Sequence, residues 1–229
     1  MLKIAGYQKL TLLDFPGKLA STIFLPGCNF RCPFCHNSEL FSPTEFYNEN
    51  EILEMIEKRS SVIEGVAITG GEPTLSPELP DFMKKIKNMG LAVKLDTNGY
   101  NPDILKSVVE AGLVDYVAMD IKSSKEHYGE VAGLPNIDIS RIEESVSFLM
   151  SGKVPFEFRT TVVPELFADE DFVEIGKWIA GDEPYFLQGY VDSEMVCERK
   201  FSQPTAQLME HIRKLVIPYV PNTKIRGVE

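Results

Sequence analysis

Three cysteines stand within eight residues of this chain, Cys28, Cys32 and Cys35, in the spacing C-x3-C-x2-C. One further cysteine, Cys197, lies far along the sequence. Three clustered thiols and one distant one make a poor disulfide framework, and such a cluster reads as metal-binding or catalytic. Four thiolates satisfy an ordinary [4Fe–4S] cluster, one per iron. Three leave one position open, which a catalytic metal site needs and a structural one lacks. The loop that carries them, Cys28-Asn29-Phe30-Arg31-Cys32-Pro33-Phe34-Cys35, directly follows a β-type run, and Gly27 lets the backbone turn sharply before it. Other uses compete. A zinc site could take His36 or Cys197 as fourth ligand. A c-type haem could use Cys32-Pro33-Phe34-Cys35-His36, which leaves Cys28 without a role. Buried cysteines also serve as small core residues.

Further polar motifs follow later apolar runs. Gly70-Gly71-Glu72-Pro73 reads as a tight turn, or as glycines that let backbone groups approach a ligand. Asp96-Thr97-Asn98-Gly99 has cap and turn chemistry. Asp120 and Lys122 form an Asp-x-Lys pair, which on a surface would be a simple ion pair. Arg159 offers a fork of donors suited to a carboxylate, or a partner for Glu157 or Glu165. Gln188 ends a sixth run.

The elements that would position these motifs alternate. Runs rich in β-branched or aromatic residues fall at Thr22–Leu25, Val66–Thr69, Ala92–Leu95, Tyr116–Ile121, Phe156–Val163 and Tyr185–Leu187. Between them apolar residues recur at helical spacing: Ile52 to Ile56, with Asn50 as N-cap; Leu79 to Ile86; Ile104 to Val109, opened by Pro102 and closed near Gly112; Ile142 to Leu149; Phe172 to Ile179, ending near Gly181; and Leu208 to Leu215. Alternating strands and helices predict a parallel sheet with right-handed crossovers. Six units give an α/β fold of the partial, open (β/α)6 barrel kind, since a full eight-unit barrel takes about 250 residues. One domain is expected over residues 1–229. Residues 1–20 form an N-terminal extension, with a hairpin around Asp14-Phe15-Pro16-Gly17, and residues from about 200 to 229 form a C-terminal helix and tail. Gly133–Pro135 reads as an ordinary connection. In such a barrel the C-terminal strand ends converge on one mouth, so the motifs define one site for one ligand.

These residues resemble the radical S-adenosylmethionine (SAM) superfamily, the aromatic Phe34 before the third cysteine included. The longer run Pro26 to Asn37, with Asp14 to Gly17 upstream, resembles the activating proteins of glycyl radical enzymes, and among them those of anaerobic ribonucleoside-triphosphate reductase. The resemblance implies a [4Fe–4S] cluster on Cys28, Cys32 and Cys35, with SAM on the open iron. It implies that Gly70, Gly71 and Glu72 hold the SAM amino group and that Asp96, Thr97 and Asn98 lie at its ribose. Phe34 and Asn37 belong to the same cofactor site. Asp120 and Lys122 face SAM, with Lys122 in the catalytic set. Arg159 is placed at the SAM carboxylate. Gln188 stands where some relatives have His. The two aspartates, Asp96 and Asp120, can also bind a monovalent cation. The implied chemistry is reductive cleavage of SAM to methionine and a 5′-deoxyadenosyl radical, which takes hydrogen from a glycine Cα of a partner enzyme in an anaerobic cell. A flavodoxin or ferredoxin-like protein would give the electron. Activation of a pyruvate formate-lyase-like enzyme, a small-molecule substrate as in deazapurine ring contraction, and a non-catalytic metal protein are the other readings.

Composition agrees with a soluble chain. The 229 residues are 44% hydrophobic and 25% charged, enough for one substantial core. A net charge of −11, with no Lys/Arg run, argues against nucleic acid as partner. No apolar run approaches the ~20 residues of a membrane span and no signal-peptide pattern is seen, so a cytoplasmic protein is expected. Auxiliary clusters would each need about three or four more thiolates, and only Cys197 is to spare; it is expected to be structural or incidental.

Overall fold

The computed structural model describes residues 1–198 and 200–227. Eight strands form one sheet in sequence order: β1 (Gly6–Thr11), β2 (Ala20–Leu25), β3 (Gly65–Gly70), β4 (Ala92–Thr97), β5 (Tyr116–Asp120), β6 (Phe156–Val162), β7 (Tyr185–Gly189) and β8 (Thr223–Arg226). β2 to β8 run parallel, and β1 pairs antiparallel with β2. β1 and β8 are the two edges of the sheet order and do not pair, so the barrel is open along that seam.

Helices cross over between the parallel strands: α1 (Glu49–Glu57), α2 (Leu79–Asn88), α3 (Pro102–Glu110), α4 (Tyr128–Val131), α5 (Ile139–Met150), α6 (Asp169–Trp178) and α7 (Ala206–Val216). Their boundaries have local causes. In α2, Leu79, Phe82, Met83 and Ile86 share the buried face, Pro80 sits in the first turn, and Lys85 and Lys87 lie in the last. Gly90 and Gly112, just past α2 and α3, take positive φ values of 78° and 68°, as helix C-termini favour. The side chains of Asp138 and Thr205 cap α5 and α7. Apolar side chains of the strands' outer face and the helices' inner faces make one continuous core.

The six predicted strands are all present, and the open parallel barrel is as expected. Three differences have physical reasons. The residues before Ser21 lie outside the parallel repeat and form the hairpin expected around Asp14 to Gly17, but its first arm is a full sheet strand: β1 pairs antiparallel with β2, and the exposed, polar-rich run Gln8-Lys9-Leu10 masks it in the sequence. A further strand, β8, pairs with β7; at four residues it is too short to show a period, and Val228 and Glu229 of the expected C-terminal tail lie outside the described residues. The cap of α1 is Asn48 rather than Asn50, its side chain accepting from the N–H groups of Asn50 and Glu51. Asn50 is inside the helix.

Phe15 is the tertiary use of the N-terminal turn. Its ring is buried and packs against Tyr116 (centroids 6.3 Å apart). A Cβ on Gly65 would stand 2.8 Å from Phe15 Cε1. Gly65 and Tyr116 are the first residues of β3 and β5, so this ring closes the barrel floor beneath the cavity described next. Phe15→Ala should therefore lower the free energy of unfolding by about 3 kcal/mol, read from the midpoint of a urea titration. Retention of the wild-type midpoint would show that the floor does not depend on this ring.

Candidate active site

A cavity of about 310 Å³ opens at the C-terminal ends of the strands. It is lined by all three clustered cysteines, by Phe34, His36 and Asn37, and by residues from β2 to β7. Every residue put forward for the site from sequence lines it: Gly70, Gly71 and Glu72, then Asp96, Thr97 and Asn98, then Asp120, Lys122, Arg159 and Gln188. Cys197 is exposed and is not in the lining.

The cysteine loop is held from several sides. The N–H groups of Gly71 and Glu72 donate to the carbonyls of Leu25 (2.9 Å) and Gly27 (2.7 Å). Any side chain at Gly71 would collide with the Gly27 carbonyl, and one at Gly70, whose φ is 128°, with the Leu25 backbone. These glycines thus let two backbones touch. Asn98 Nδ2 donates to Asn29 Oδ1 (2.8 Å). The N–H of Arg31 donates to the Ala132 carbonyl (2.9 Å), and a Cβ on Gly133 (φ 64°) would strike the Arg31 carbonyl. Gly133 is accordingly a buttress of the cysteine loop, not an ordinary connection. Cys197 N–H donates to the Cys35 carbonyl (3.4 Å) and Glu198 N–H to that of Pro33 (3.0 Å). The distant fourth cysteine therefore lies in a strap across the loop, a placement that its sequence position gave no sign of.

The thiols are ready for a metal group in two respects. The N–H of Phe30 donates to Cys28 Sγ (3.4 Å) and the N–H of Asn37 bonds to Cys35; such donors support charge on sulfur. Burial opposes that charge. It pushes the Cys28 thiol up to about 11 and that of Cys32 to about 12, and Cys35 in the same direction. The positive charge of Lys122 pulls all three down. Bare thiols here are neutral at pH 7, and binding of a metal group displaces their protons.

Glu72 also holds two loops of the site together. Its carboxylate is buried and accepts from Thr74 N–H (3.1 Å), Thr74 Oγ1 (2.6 Å), Thr97 Oγ1 (2.8 Å) and Asn98 N–H (2.6 Å). Burial pushes it up and these donors pull against that. It clamps the β3 loop to the β4 loop.

Charged side chains fill the bore. Arg159 donates through Nε to Asp120 Oδ1 (2.9 Å) and through Nη1 to Asp96 Oδ2 (3.2 Å). It pairs with neither Glu157 nor Glu165: Glu157 takes Arg226 and Tyr116, and Glu165 accepts from Ser202 N–H. Lys122 Nζ bonds Asp120 Oδ2 (2.9 Å), so this is a pair within the cavity wall rather than on the outer surface. Lys94 bonds Asp96 Oδ1. Burial would raise the carboxyl of Asp120 and that of Asp96, but the neighbouring cations, Arg159 first, hold both below the usual carboxylate range. Burial would lower Lys122 and Arg159; the aspartates hold both up.

Asp14, Thr22, Thr69 and Thr161 also line the cavity, with Lys94 beneath it, and none of them is among the site residues expected from sequence. A signal existed. On a strand, residues two apart share a face, so Arg159 implies Thr161 and Asp96 implies Lys94. Asp14 accepts from Thr22 Oγ1 (2.5 Å), a contact between the N-terminal turn and β2 that spacing alone does not give.

The chain matches the Radical SAM superfamily over residues 22–179. It is 28% identical to a Methanocaldococcus jannaschii protein provisionally named a glycyl-radical enzyme activating enzyme, over 98% of this chain and 96% of that one. It is 25% identical to the pyruvate formate-lyase 1-activating enzyme of Escherichia coli K12, over 95% and 96%. Its fold overlays on Streptococcus suis SuiB bound to the precursor peptide SuiA with a TM-score of 0.70 at 15% identity. That overlay covers 88% of this chain and 47% of the solved one, so the chain spans about half the length of that structure.

Asp120→Asn should cost about 2 kcal/mol at pH 7, because it strips a carboxylate from two buried cations. The folded-state pKa of Asp120 is depressed, so its contribution is whole above an unfolded value of about 3.9 and is lost as pH falls below it. Urea unfolding of both proteins at pH 7 and at about pH 3 checks this: the gap between them should narrow at the lower pH. A gap that widens there contradicts the assignment.

Proposed function

The chain belongs to the radical SAM superfamily, and we propose that it is a glycyl radical enzyme activating enzyme that cleaves SAM reductively and removes a hydrogen atom from a glycine Cα of its partner. The single observation that carries this reading is that three thiols of one loop line the same cavity as the polar ends of successive strands. The donor set fits a [4Fe–4S] cluster with an open iron: Cys28, Cys32 and Cys35 supply three thiolates, and the lining holds no fourth cysteine. Such a group supplies one electron to SAM, breaking a carbon–sulfur bond to leave methionine and a 5′-deoxyadenosyl radical.

The chain's own residues bind and orient. The backbone of Gly70 to Glu72 suits the SAM amino group, and Asp96 and Asn98 suit its ribose. Lys122 and Arg159 suit its carboxylate. Arg159 spends Nε and Nη1 on the two aspartates, which leaves Nη2 for the ligand. Lys122, Arg159 and Lys94 form their ion pairs with Asp96 and Asp120, three positive charges against two negative. That excess favours an anionic group beside the cysteine loop. Phe34, buried at the cavity wall, excludes water, while Asn37 and Gln188 offer polar contacts at the rim.

A protein substrate is supported by the unpaired seam between β1 and β8. Asp14, Thr22 and Phe24 line the cavity toward one side of it and Gln188 toward the other. Relatives carrying activating-enzyme names over nearly their whole length agree. We assign anaerobic ribonucleoside-triphosphate reductase as the partner, from the run Pro26 to Asn37 with Asp14 to Gly17. A pyruvate formate-lyase-like enzyme is the second reading, favoured by the full-length match to the Escherichia coli protein. A flavodoxin or ferredoxin-like donor and a cytoplasmic site complete the proposal; among the described residues no helix is long and apolar enough to cross a membrane.

Protein reconstituted with iron and sulfide without oxygen should carry four irons and release 5′-deoxyadenosine from SAM on reduction. Cys28→Ala, Cys32→Ala and Cys35→Ala should each lower release to background, while Cys197→Ala should stay within about twofold of wild type. Electron paramagnetic resonance of a mixture with the reductase should then show a glycyl radical. Stoichiometric zinc with no SAM cleavage would overturn the enzyme reading, and a radical on a formate-lyase-type enzyme alone would move the partner.

A further inference from the structure

Two carboxylates facing one ligand cavity make a natural seat for a monovalent cation, the expectation set out above for Asp96 and Asp120. The residues present do not fit it. Each of the four carboxylate oxygens already faces a positive side chain: Asp96 Oδ1 faces Lys94, Asp96 Oδ2 and Asp120 Oδ1 face Arg159 at 3.2 and 2.9 Å, and Asp120 Oδ2 faces Lys122 at 2.9 Å. A further cation would have to share these oxygens with a guanidinium or an ammonium at close range, and would enter a cluster of five side chains that already holds one positive charge in excess. Like charges in a low-dielectric site repel strongly.

Lys94 makes the difference. With Arg159 and Lys122 alone, two cations would meet two carboxylates, and Asp96 would have one oxygen open beside the cavity. Lys94 stands two residues before Asp96 on β4, so strand alternation puts both side chains on the bore side. It is 2% exposed. An ammonium is kept in such a place only when an opposite charge meets it, and its partner is Asp96. It lies outside the cavity lining, so it reaches a ligand only through the aspartate.

We propose that Lys94 is a built-in counter-ion that takes the place of an exchangeable monovalent cation at Asp96 and Asp120, so that the SAM site of this chain is assembled without potassium or sodium. The SAM part of this rests on the function proposed above; the counter-ion part does not. Lys94 is a positioning residue that fixes the carboxylate of Asp96 from below. It also explains why a lysine occupies an interior strand position where an apolar residue would cost nothing in desolvation.

The test compares thermal unfolding of the anaerobically purified protein, Lys94→Met and Lys94→Arg in potassium, sodium and choline chloride at one ionic strength. Choline is too large for a site between two carboxylates. Wild type and Lys94→Arg should unfold within about 1 °C in all three salts, whereas Lys94→Met should gain about 3 °C or more in potassium or sodium over choline, as a bound ion stabilises the folded state. SAM affinity by equilibrium dialysis should follow: unchanged across salts for wild type, about tenfold weaker for Lys94→Met in choline, and restored by potassium or sodium. Wild-type protein stabilised by potassium or sodium over choline overturns the proposal, and that arm decides alone should Lys94→Met fail to fold. A folded Lys94→Met indifferent to the salt also overturns it. Unfolding needs no SAM, so a protein that ignores SAM would defeat the function reading and leave this result standing.

Discussion

Charge cannot be left unpaired inside a barrel, and most of the candidate site follows from that constraint. Asp96, Asp120, Arg159, Lys122 and Lys94 come from three neighbouring strands and from the second residue past one of them. None would be tolerated alone at its depth; together every carboxylate oxygen has a cation. The register that pairs Asp120 with Arg159 and Asp96 with Ala118 lets this happen. Ala118 is small, which leaves room for the guanidinium to reach past it to Asp96. The network fixes three strand ends relative to one another and so holds the polar mouth in shape. A mouth held in shape is what a radical reaction needs, since the cofactor carries the chemistry and the protein's part is orientation and exclusion.

A second constraint is close backbone approach. The cysteine loop has little regular structure of its own, so its shape comes from its neighbours. Glycines at 70, 71 and 133 allow the β3 loop and the segment after α4 to lie directly against it. Glu72 then ties the β3 loop to the β4 loop. Loops that could each wander are cross-linked by hydrogen bonds whose donors and acceptors are mostly main chain. The strap from Met195 to Glu198 closes the remaining side.

The open seam is the third element. Closed parallel barrels present one mouth; this sheet stops short, with β1 turned antiparallel at one edge and the brief β8 at the other. Phe15 seals the floor while the side stays open. Under the proposed function, this unpaired seam is the side from which a partner's polypeptide would reach the cavity.

Much of this could be read from the sequence. Six strand positions, the parallel order, the open barrel and every lining residue named for the site followed from periodicity, from motif placement at strand ends and from the resemblance carried by the cysteine run. Those features are local: two-residue alternation, apolar spacing and turn chemistry act within a few residues. The bounds of β1, the edge strand β8, the partners of Arg159, the clamp role of Glu72 and the counter-ion role of Lys94 were not legible. Each depends on which residue faces which across the sheet. Linear spacing places Glu157 and Glu165 near Arg159, yet the register of β4, β5 and β6 delivers Asp96 and Asp120 instead. The metal-binding character of the cysteine loop was legible in the chain alone, because three thiols in one short loop share a neighbourhood however the rest folds. How the charges around them are balanced was settled only in three dimensions, because Coulomb interactions run through space and the barrel bore brings charges as distant in sequence as Lys94 and Arg159 to one carboxylate.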